Sequence, residues 1–299
     1  MISPMFETRP SHARVLLLVT ALTVLWGTNW VLFPLAVREV SIWTFRAVCL
    51  LGSGFLVLLA AHLRGISLTV PPQERKPLVA AALTYLVVWN MASTYSAVLL
   101  PSGQAAVLGF TMPIWATMLS WLFLREPPSR RLLAGVVLGA CGVGLLAFAA
   151  RSAYASAPLG FVAGLAAGLG WAGGTLILKR ARLTVPSIVS TGWQLLVAAV
   201  PITLVAVLTG TREPFVPSWT SLLVIGYIAF IPMALGNVAW FSIVNSLPAS
   251  VSGVSTVMVP VVAMLTGAIV RGEPLGPLEI SAMVCCAAAM ALVLLRRPG

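Results

Sequence analysis

Acidic residues are almost absent from this sequence. Among 299 residues there is no aspartate, and there are seven glutamates. Charged residues of both signs make up 8% of the chain, whereas a soluble globular domain carries about 25%. So few charges cannot cover a surface that faces water, and the outside of the folded chain is therefore expected to face lipid. Each glutamate falls in a loop or near the end of an apolar run, so no carboxylate that could relay protons is predicted at mid-membrane depth.

Patterns that bind metals or carry out catalysis are also missing. The sequence has no Cys-x-x-Cys pair and no cluster of cysteine with histidine. The four cysteines all lie within apolar runs, and they are Cys49, Cys141, Cys285 and Cys286. Cysteines in such runs are typically small apolar helix residues. Because enzymes need clustered reactive groups, the sequence predicts neither an enzyme nor a bound metal or cofactor.

Long apolar runs dominate what remains, since 60% of the residues are hydrophobic. About 20 apolar residues are needed for one helical crossing of a membrane. The sequence predicts ten such helices, at approximately 15–37, 41–63, 77–99, 103–124, 131–150, 158–178, 187–209, 218–244, 250–270 and 277–295. The first run is longer than the apolar core of a signal peptide, and no cleavage pattern follows it. We therefore expect it to be retained as the first helix.

The basic residues predict the orientation of these helices. A net charge of +11 can indicate nucleic acid binding, but here the basic residues form short clusters between apolar runs. If the N-terminus is cytoplasmic, thirteen of the eighteen basic residues lie on the cytoplasmic side and four on the other side. Cytoplasmic loops of membrane proteins are enriched in lysine and arginine. Both termini are therefore predicted to be cytoplasmic, and no nucleic acid partner is expected.

An internal repeat appears when the chain is shifted over itself by 147 residues. The shift places Asn90 on Asn237, Leu100-Pro101 on Leu247-Pro248, Pro113 on Pro260, and Glu126-Pro127 on Glu273-Pro274. The alternative is that the prolines match by chance. The number of agreements at one offset argues against this alternative. The halves, 1–150 and 151–299, would hold five helices each. Because five is odd, the halves would cross the membrane in opposite senses, which is typical of secondary transporters with a substrate site between inverted repeats.

Several motifs add a family resemblance. Leu25-Trp26-Gly27-Thr28-Asn29-Trp30, followed by Arg46, resembles the EamA-type members of the drug/metabolite transporter superfamily. So does the segment from Leu100-Pro101 through Pro113 to Glu126-Pro127, together with its second-half counterpart. The resemblance implies ten helices, cytoplasmic termini, a central cavity, and alternating access with bending of the proline-bearing helices. The many tryptophans look most like the YddG-type exporters of aromatic and other neutral amino acids.

Aromatic rings and small polar groups at mid-membrane depth predict the substrate site. In the first helix, Trp26, Asn29, Trp30 and Phe33 follow a spacing that places them on one face. The candidate substrate-binding residues are Trp26, Asn29, Trp30, Tyr85, Trp89, Asn90, Thr111, Trp115, Trp171, Asn237, Trp240 and Ser255. This mixture suits an amphipathic ligand with an apolar body and a polar head. For each residue, packing without ligand contact is the alternative.

Two prolines and one arginine have additional roles in the prediction. Pro113 and Pro260 fall within the fourth and ninth predicted helices, where proline removes a backbone donor and bends the helix. They are expected to act as hinges, with a static kink as the alternative. Arg46 falls within the second span. Three interpretations of it are open: extension to the membrane surface, pairing with backbone carbonyls, and contact with a substrate carboxylate.

These features together predict an alternating-access exporter of neutral or zwitterionic metabolites, with amino acids, including aromatic ones, as the simplest substrates. One buried arginine is too few for phosphorylated sugars or nucleotides. The alternatives are an exporter of drugs or other metabolites and a channel-like pore. The protein is expected in the inner membrane of a bacterium. Because the pathway would lie within one chain, a monomer is expected.

Overall fold

A computed structural model describes residues 12–149, 151–209, 217–247, 251–252, 256–273 and 275–294, and every regular element in these ranges is helical. Within them, eight helices are long and apolar enough to cross a membrane. They are α1 (Val15–Ala36), α2 (Ile42–Leu63), α3 (Pro72–Leu99), α4 (Ser102–Leu124), α5 (Arg130–Ala149), α6 (Pro158–Ala181), α7 (Ser187–Thr209) and α8 (Trp219–Ser246). Two shorter apolar helices follow, α9 (Val259–Arg271) and α10 (Pro277–Val293). Helices suit lipid because they satisfy their own backbone hydrogen bonds.

Eight of the ten predicted spans are thus confirmed, with ends that differ by a few residues. The predicted span 250–270 corresponds to α9, and the predicted span 277–295 corresponds to α10. Both described helices are shorter than the eight spans before them. Residues 248–250, 253–255 and 295–299 lie outside the described part of the chain.

The regular helix is interrupted in two of the spans. In α1 the regular helix ends at Gly27 and is continued by a 3-10 turn, Trp30–Leu32, and by the short helix Phe33–Ala36. In α4 the helix breaks at Phe110 and Thr111, and Pro113 lies in the first turn of the segment that follows. Proline fits a first turn because the missing N–H has no partner there anyway. Pro113 therefore follows a break in the helix, whereas the sequence indicated a bend within a continuous one.

Local backbone geometry repeats at the offset of 147 residues. A widened π-helical segment, Leu83–Val87, is matched in α8 by Ala229–Leu235. The Asn90 side-chain amide donates to the carbonyl oxygen four residues before it, and so does the Asn237 amide. After α4 the backbone takes a left-handed conformation at Arg125, and after α9 it does so at Gly272. Pro260 lies in the first turn of α9, as Pro113 does in its segment.

Packing between the halves follows the same correspondence. The helix α6 packs against α3 and α4, and α1 packs against α8 and α9. The helix α2 packs against α7, and α5 packs against α10. If each helix is replaced by its counterpart in the other half, the pairs α6–α3 and α6–α4 become α1–α8 and α1–α9. The pairs α2–α7 and α5–α10 remain the same under this exchange. The core of the bundle lies where α1, α3, α6 and α8 meet, and its largest buried side chains include Trp30, Trp171, Trp240 and Tyr85.

Three glutamates connect the halves at the helix ends. Glu39 accepts from the backbone N–H of Ser218 at 2.8 Å, and this contact lowers the pKa of Glu39 below its usual range. Glu273 accepts from the Ser102 hydroxyl at 2.7 Å. Glu74 accepts from the backbone N–H and the hydroxyl of Thr184. In each pair one residue belongs to the first half and the other to the second.

Replacing Glu74 with alanine is expected to destabilise the protein. Glu74 is buried, and its loss removes its hydrogen bonds with Thr184, which is exposed and can bond to water instead, so we expect a cost of about 0.5–1.5 kcal/mol. Thermal unfolding of the purified protein in detergent measures this. Gln73→Ala, an exposed position in the same turn, is the control and should change little. Equal effects of both substitutions would contradict the role of Glu74.

Candidate functional site

A cavity lies inside the bundle, between five of the long helices. Its walls come from α1, α2, α3, α4 and α8, and they consist of Trp26, Asn29, Trp30, Phe33, Arg46, Tyr85, Leu86, Trp89, Asn90, Phe110, Pro232, Met233 and Asn237. The space that remains between these side chains is about 30 Å³, which is room for one or two water molecules. The space between these side chains is therefore small in this conformation.

Trp171 of α6 is the centre of the aromatic cluster behind this cavity. Its ring lies 4.4 Å from the Trp89 ring and 5.0 Å from both the Trp26 and Trp240 rings, measured between centroids. Tyr85 and Phe110 are also within 6 Å of it. Most of these pairs meet edge to face, the geometry that aromatic quadrupoles prefer. The cluster joins helices of both halves through one indole.

The four residues of α1 predicted to share a face do converge. Trp26, Asn29, Trp30 and Phe33 all line the cavity, although the regular helix ends at Gly27. The Trp26 indole N–H donates to the Pro232 carbonyl oxygen of α8 at 2.9 Å. That carbonyl lies in the π-helical segment of α8, where the widened turn frees acceptors from the regular helical pattern.

Polar groups of α3 and α8 meet at the same place. The Tyr85 hydroxyl donates to Asn237 Oδ1 at 3.0 Å, while the Asn237 amide donates to the Met233 carbonyl oxygen. Gly236, next to Asn237, lets Trp26 approach α8, because a Cβ at that position would collide with the indole. Tyr85, Trp89, Asn90 and Asn237, four of the candidate substrate-binding residues, all line the cavity.

The remaining predicted residues lie elsewhere. Thr111 and Trp115 do not line the cavity, and instead the Trp115 indole N–H donates to the Thr111 hydroxyl at 3.1 Å. Trp171 and Trp240 support the cavity from behind through their ring contacts with Trp26. Ser255 lies outside the described residues.

Six lining residues are absent from the predicted substrate-binding set, and they are Phe33, Arg46, Leu86, Phe110, Pro232 and Met233. The repeat contained a signal for one of them, Pro232, because its counterpart Tyr85 was predicted. The offset of 147 residues that places Asn90 on Asn237 also places Tyr85 on Pro232 and Leu86 on Met233. Phe110 could not be found in this way, because the break in α4 determines which way it faces.

Arg46, which the sequence left open, also lines the cavity. The residue is 1% exposed, so extension of the guanidinium to the membrane surface is wrong. Its Nε donates to the Thr94 hydroxyl, and its guanidinium lies 4.3 Å from the centre of the Phe33 ring. Its Nη2 has no hydrogen-bond partner among the described residues.

Two other buried polar atoms of the lining residues lack a partner in the described part of the chain. They are the side-chain oxygens of Asn29 and Asn90. Since buried polar groups are nearly always hydrogen-bonded, these two atoms are exceptions within the cavity wall. Within the same ranges, no three histidine, cysteine or acidic side chains lie close enough to hold a metal ion.

A bundle of long apolar helices defines a polytopic membrane protein. Comparison with known families agrees, because the family described as EamA-like transporter family matches residues 13–148 and 158–295. The chain belongs to this family. It is a multi-pass integral membrane protein that transports a small molecule across the bilayer, and it is not an enzyme.

Known relatives carry transporter names. The chain is 28% identical to the Uncharacterized transporter YvbV of Bacillus subtilis, over 88% of this chain and 85% of that protein. It is 27% identical to the Uncharacterized inner membrane transporter YedA of Escherichia coli K12, over 92% of this chain and 89% of that protein. A Probable amino-acid metabolite efflux pump of Salmonella typhimurium is 25% identical, over 89% and 90% of the two chains.

A solved structure shares the fold. This crystal structure superposes on the chain with a TM-score of 0.74. The superposition covers 95% of this chain and 98% of the other, at 19% sequence identity. At 19% identity the similarity shows a shared arrangement of helices and does not identify the solute.

Proposed function

We propose that this protein is an alternating-access exporter of small amphipathic metabolites, and that amino acids, including aromatic ones, are its substrates. The cavity carries this proposal, because it combines aromatic walls with unpartnered amide and guanidinium atoms. Such walls bind an apolar body and a polar head at once. The name of the Salmonella typhimurium relative, an amino-acid metabolite efflux pump, supports the same substrate class.

The proposed architecture is ten helices in two inverted halves, 1–150 and 151–299. The matching π-helical segments support it, and so does packing that is preserved when the halves are exchanged. Five crossings per half relate the halves by an axis in the membrane plane, with the cavity at their interface. The distribution of basic residues supports cytoplasmic termini, and the relative named as an inner membrane transporter supports that location.

The small size of the cavity supports alternating access. A space of about 30 Å³ does not hold an amino acid, so a solute enters only when the aromatic walls separate. The break in α4 before Pro113 and the turn at 256–258 before Pro260 interrupt the helix hydrogen bonds at matching places. These two positions are the proposed hinges, and movement there would open the cavity to one side at a time.

Counterflow in liposomes that contain the purified protein tests this function. Vesicles loaded with unlabelled L-phenylalanine should accumulate labelled L-phenylalanine, and the initial rate should saturate with concentration. Conductance without saturation would favour a channel. Absence of exchange for neutral amino acids as a class would contradict the proposed substrates. Because the described spans hold no mid-depth carboxylate, exchange is expected to be independent of an imposed pH gradient.

Replacing Pro113 with alanine is expected to slow exchange severalfold while equilibrium binding of L-phenylalanine is retained. Alanine allows the broken helix of α4 to become continuous, which stiffens the proposed hinge. Pro260→Ala should behave alike, because Pro260 has the same position in α9. Pro201→Ala is the control, since Pro201 lies inside the unbroken α7. If all three variants exchange at the same rate as the original protein, the hinge proposal is wrong.

A further inference from the structure

Arg46 is a buried cation without an acidic partner. Its residue surface is 1% exposed, and it forms no ion pair among the described residues. A charge in the membrane interior is costly unless something compensates it, and such residues usually serve a function. Helix packing alone does not account for an arginine here, because a neutral side chain would avoid this cost.

The guanidinium is held in a fixed position at the cavity wall. Its Nε donates to the Thr94 hydroxyl, which itself donates to the Asn90 carbonyl oxygen at 2.6 Å. The Phe33 and Phe45 rings lie 4.3 and 4.8 Å from the guanidinium carbon. These contacts occupy Nε and the faces of the group, while Nη2 is left without a partner among the described residues. An arginine held in this way is preorganised to receive a planar anion.

Acceptors complete the set of polar groups. The Asn90 amide nitrogen donates to the Leu86 carbonyl oxygen at 2.8 Å, which fixes the orientation of the amide and identifies its unpartnered atom as Oδ1. Asn29 Oδ1 is also unpartnered, and both asparagines line the cavity with Arg46. Carbonyl oxygens and aromatic faces suit an ammonium group. The same wall thus offers one site for an anion and separate sites for a cation.

We propose that Arg46 binds the carboxylate of the transported solute and thereby selects α-amino acids and related carboxylates with an apolar side chain over amines. This inference rests on the proposed function of the cavity. The carboxylate would pair with Nη2 and compensate the buried charge, since charge-assisted bonds to arginine are strong and directional. An amine without a carboxylate would leave that charge uncompensated and would add a second positive charge, so cationic drugs are poor substrates.

Four probes that share one aromatic body test the proposal. They are L-phenylalanine, L-phenylalaninamide, 2-phenylethylamine and 3-phenylpropionate, each measured by equilibrium binding to the purified protein in lipid nanodiscs. The two probes without a carboxylate should bind at least about tenfold more weakly than L-phenylalanine. Arg46→Gln should weaken L-phenylalanine and 3-phenylpropionate by about tenfold or more and leave 2-phenylethylamine unchanged or stronger.

Two further variants separate binding from folding. Arg46→Lys keeps the charge but lacks the planar guanidinium, so its affinity for L-phenylalanine should lie between those of the original protein and Arg46→Gln. Arg151→Gln is the control, because Arg151 donates to the carbonyl oxygen of Phe148 and lies over its ring, outside the long spans. Its affinities for all four probes should be unchanged.

The outcomes separate this inference from the proposed function. If the original protein binds all four probes alike, the carboxylate site is wrong while a transporter of aromatic solutes stands. Equal loss of every probe in a folded Arg46→Gln variant would also overturn it, since the arginine would then be structural. If that variant does not fold, the probe series on the original protein and on Arg46→Lys decides. If the protein binds 3-phenylpropionate but not L-phenylalanine, amino acids are not its substrates, and the carboxylate site is supported. If it binds none of the four probes, both the carboxylate site and the proposed substrates are wrong.

Discussion

Replacing Trp171 with alanine is expected to have the largest effect on stability and to abolish exchange. The side chain is 0% exposed, and its ring contacts the rings of five other residues. Removing a buried tryptophan costs about 3–5 kcal/mol. The empty volume would let the aromatic walls collapse further, so the solute site would be lost with the packing. Thermal unfolding and liposome counterflow measure the two effects.

A matched tryptophan and a milder substitution serve as controls. Trp219 is 81% exposed at the start of α8, so Trp219→Ala should leave exchange intact. Trp171→Phe keeps an aromatic ring, and the indole N–H of Trp171 has no partner among the described residues, so no hydrogen bond is lost. The stability and the exchange rate of Trp171→Phe should lie between those of Trp171→Ala and Trp219→Ala. If Trp171→Ala is no less stable than Trp219→Ala, the cluster does not depend on Trp171.

Much of the cavity could be predicted from the sequence. The spacing of Trp26, Asn29, Trp30 and Phe33 placed them on one face, and the structure brings all four to the cavity. The repeat paired Asn90 with Asn237, which take the same local hydrogen bond in α3 and α8. These inferences succeeded because they depend on helical periodicity and on duplication, which are both visible in one sequence.

The rest depended on departures from a regular helix. Thr111 and Trp115 were predicted by continuing one helix through Pro113, but the break at Phe110 and Thr111 changes the direction of the side chains. Phe110 then faces the cavity, and Trp115 bonds to Thr111 beside it. The burial of Arg46 was also beyond the sequence. Extension to the surface and burial at a cavity wall are both open to an arginine near a helix end, and only packing decides between them.

Close helix packing behind the cavity explains why α6 is rich in glycine. Small residues let helices approach each other in a membrane, where the hydrophobic effect does not drive them together. At Gly174 a Cβ would collide with the Tyr85 side chain and would lie 3.0 Å from the Tyr85 backbone nitrogen. Backbone cannot give way as a flexible side chain does. Glycine at 174 therefore fixes the position of Tyr85, which bonds to Asn237 across the cavity.

Gly174→Ala is accordingly expected to separate α6 from α3 and to impair exchange strongly. Crowding of this kind costs about 1–3 kcal/mol, and the displacement of Tyr85 would break its bond to Asn237. Gly226→Ala in α8 is the matched control, because nothing lies within 4 Å of a Cβ there. In a helix that change should stabilise by up to about 1 kcal/mol. Since both substitutions add one methyl group to a helical glycine, opposite shifts in the unfolding temperature would isolate the contact with Tyr85, and similar shifts would show that this close approach does not hold the cavity together.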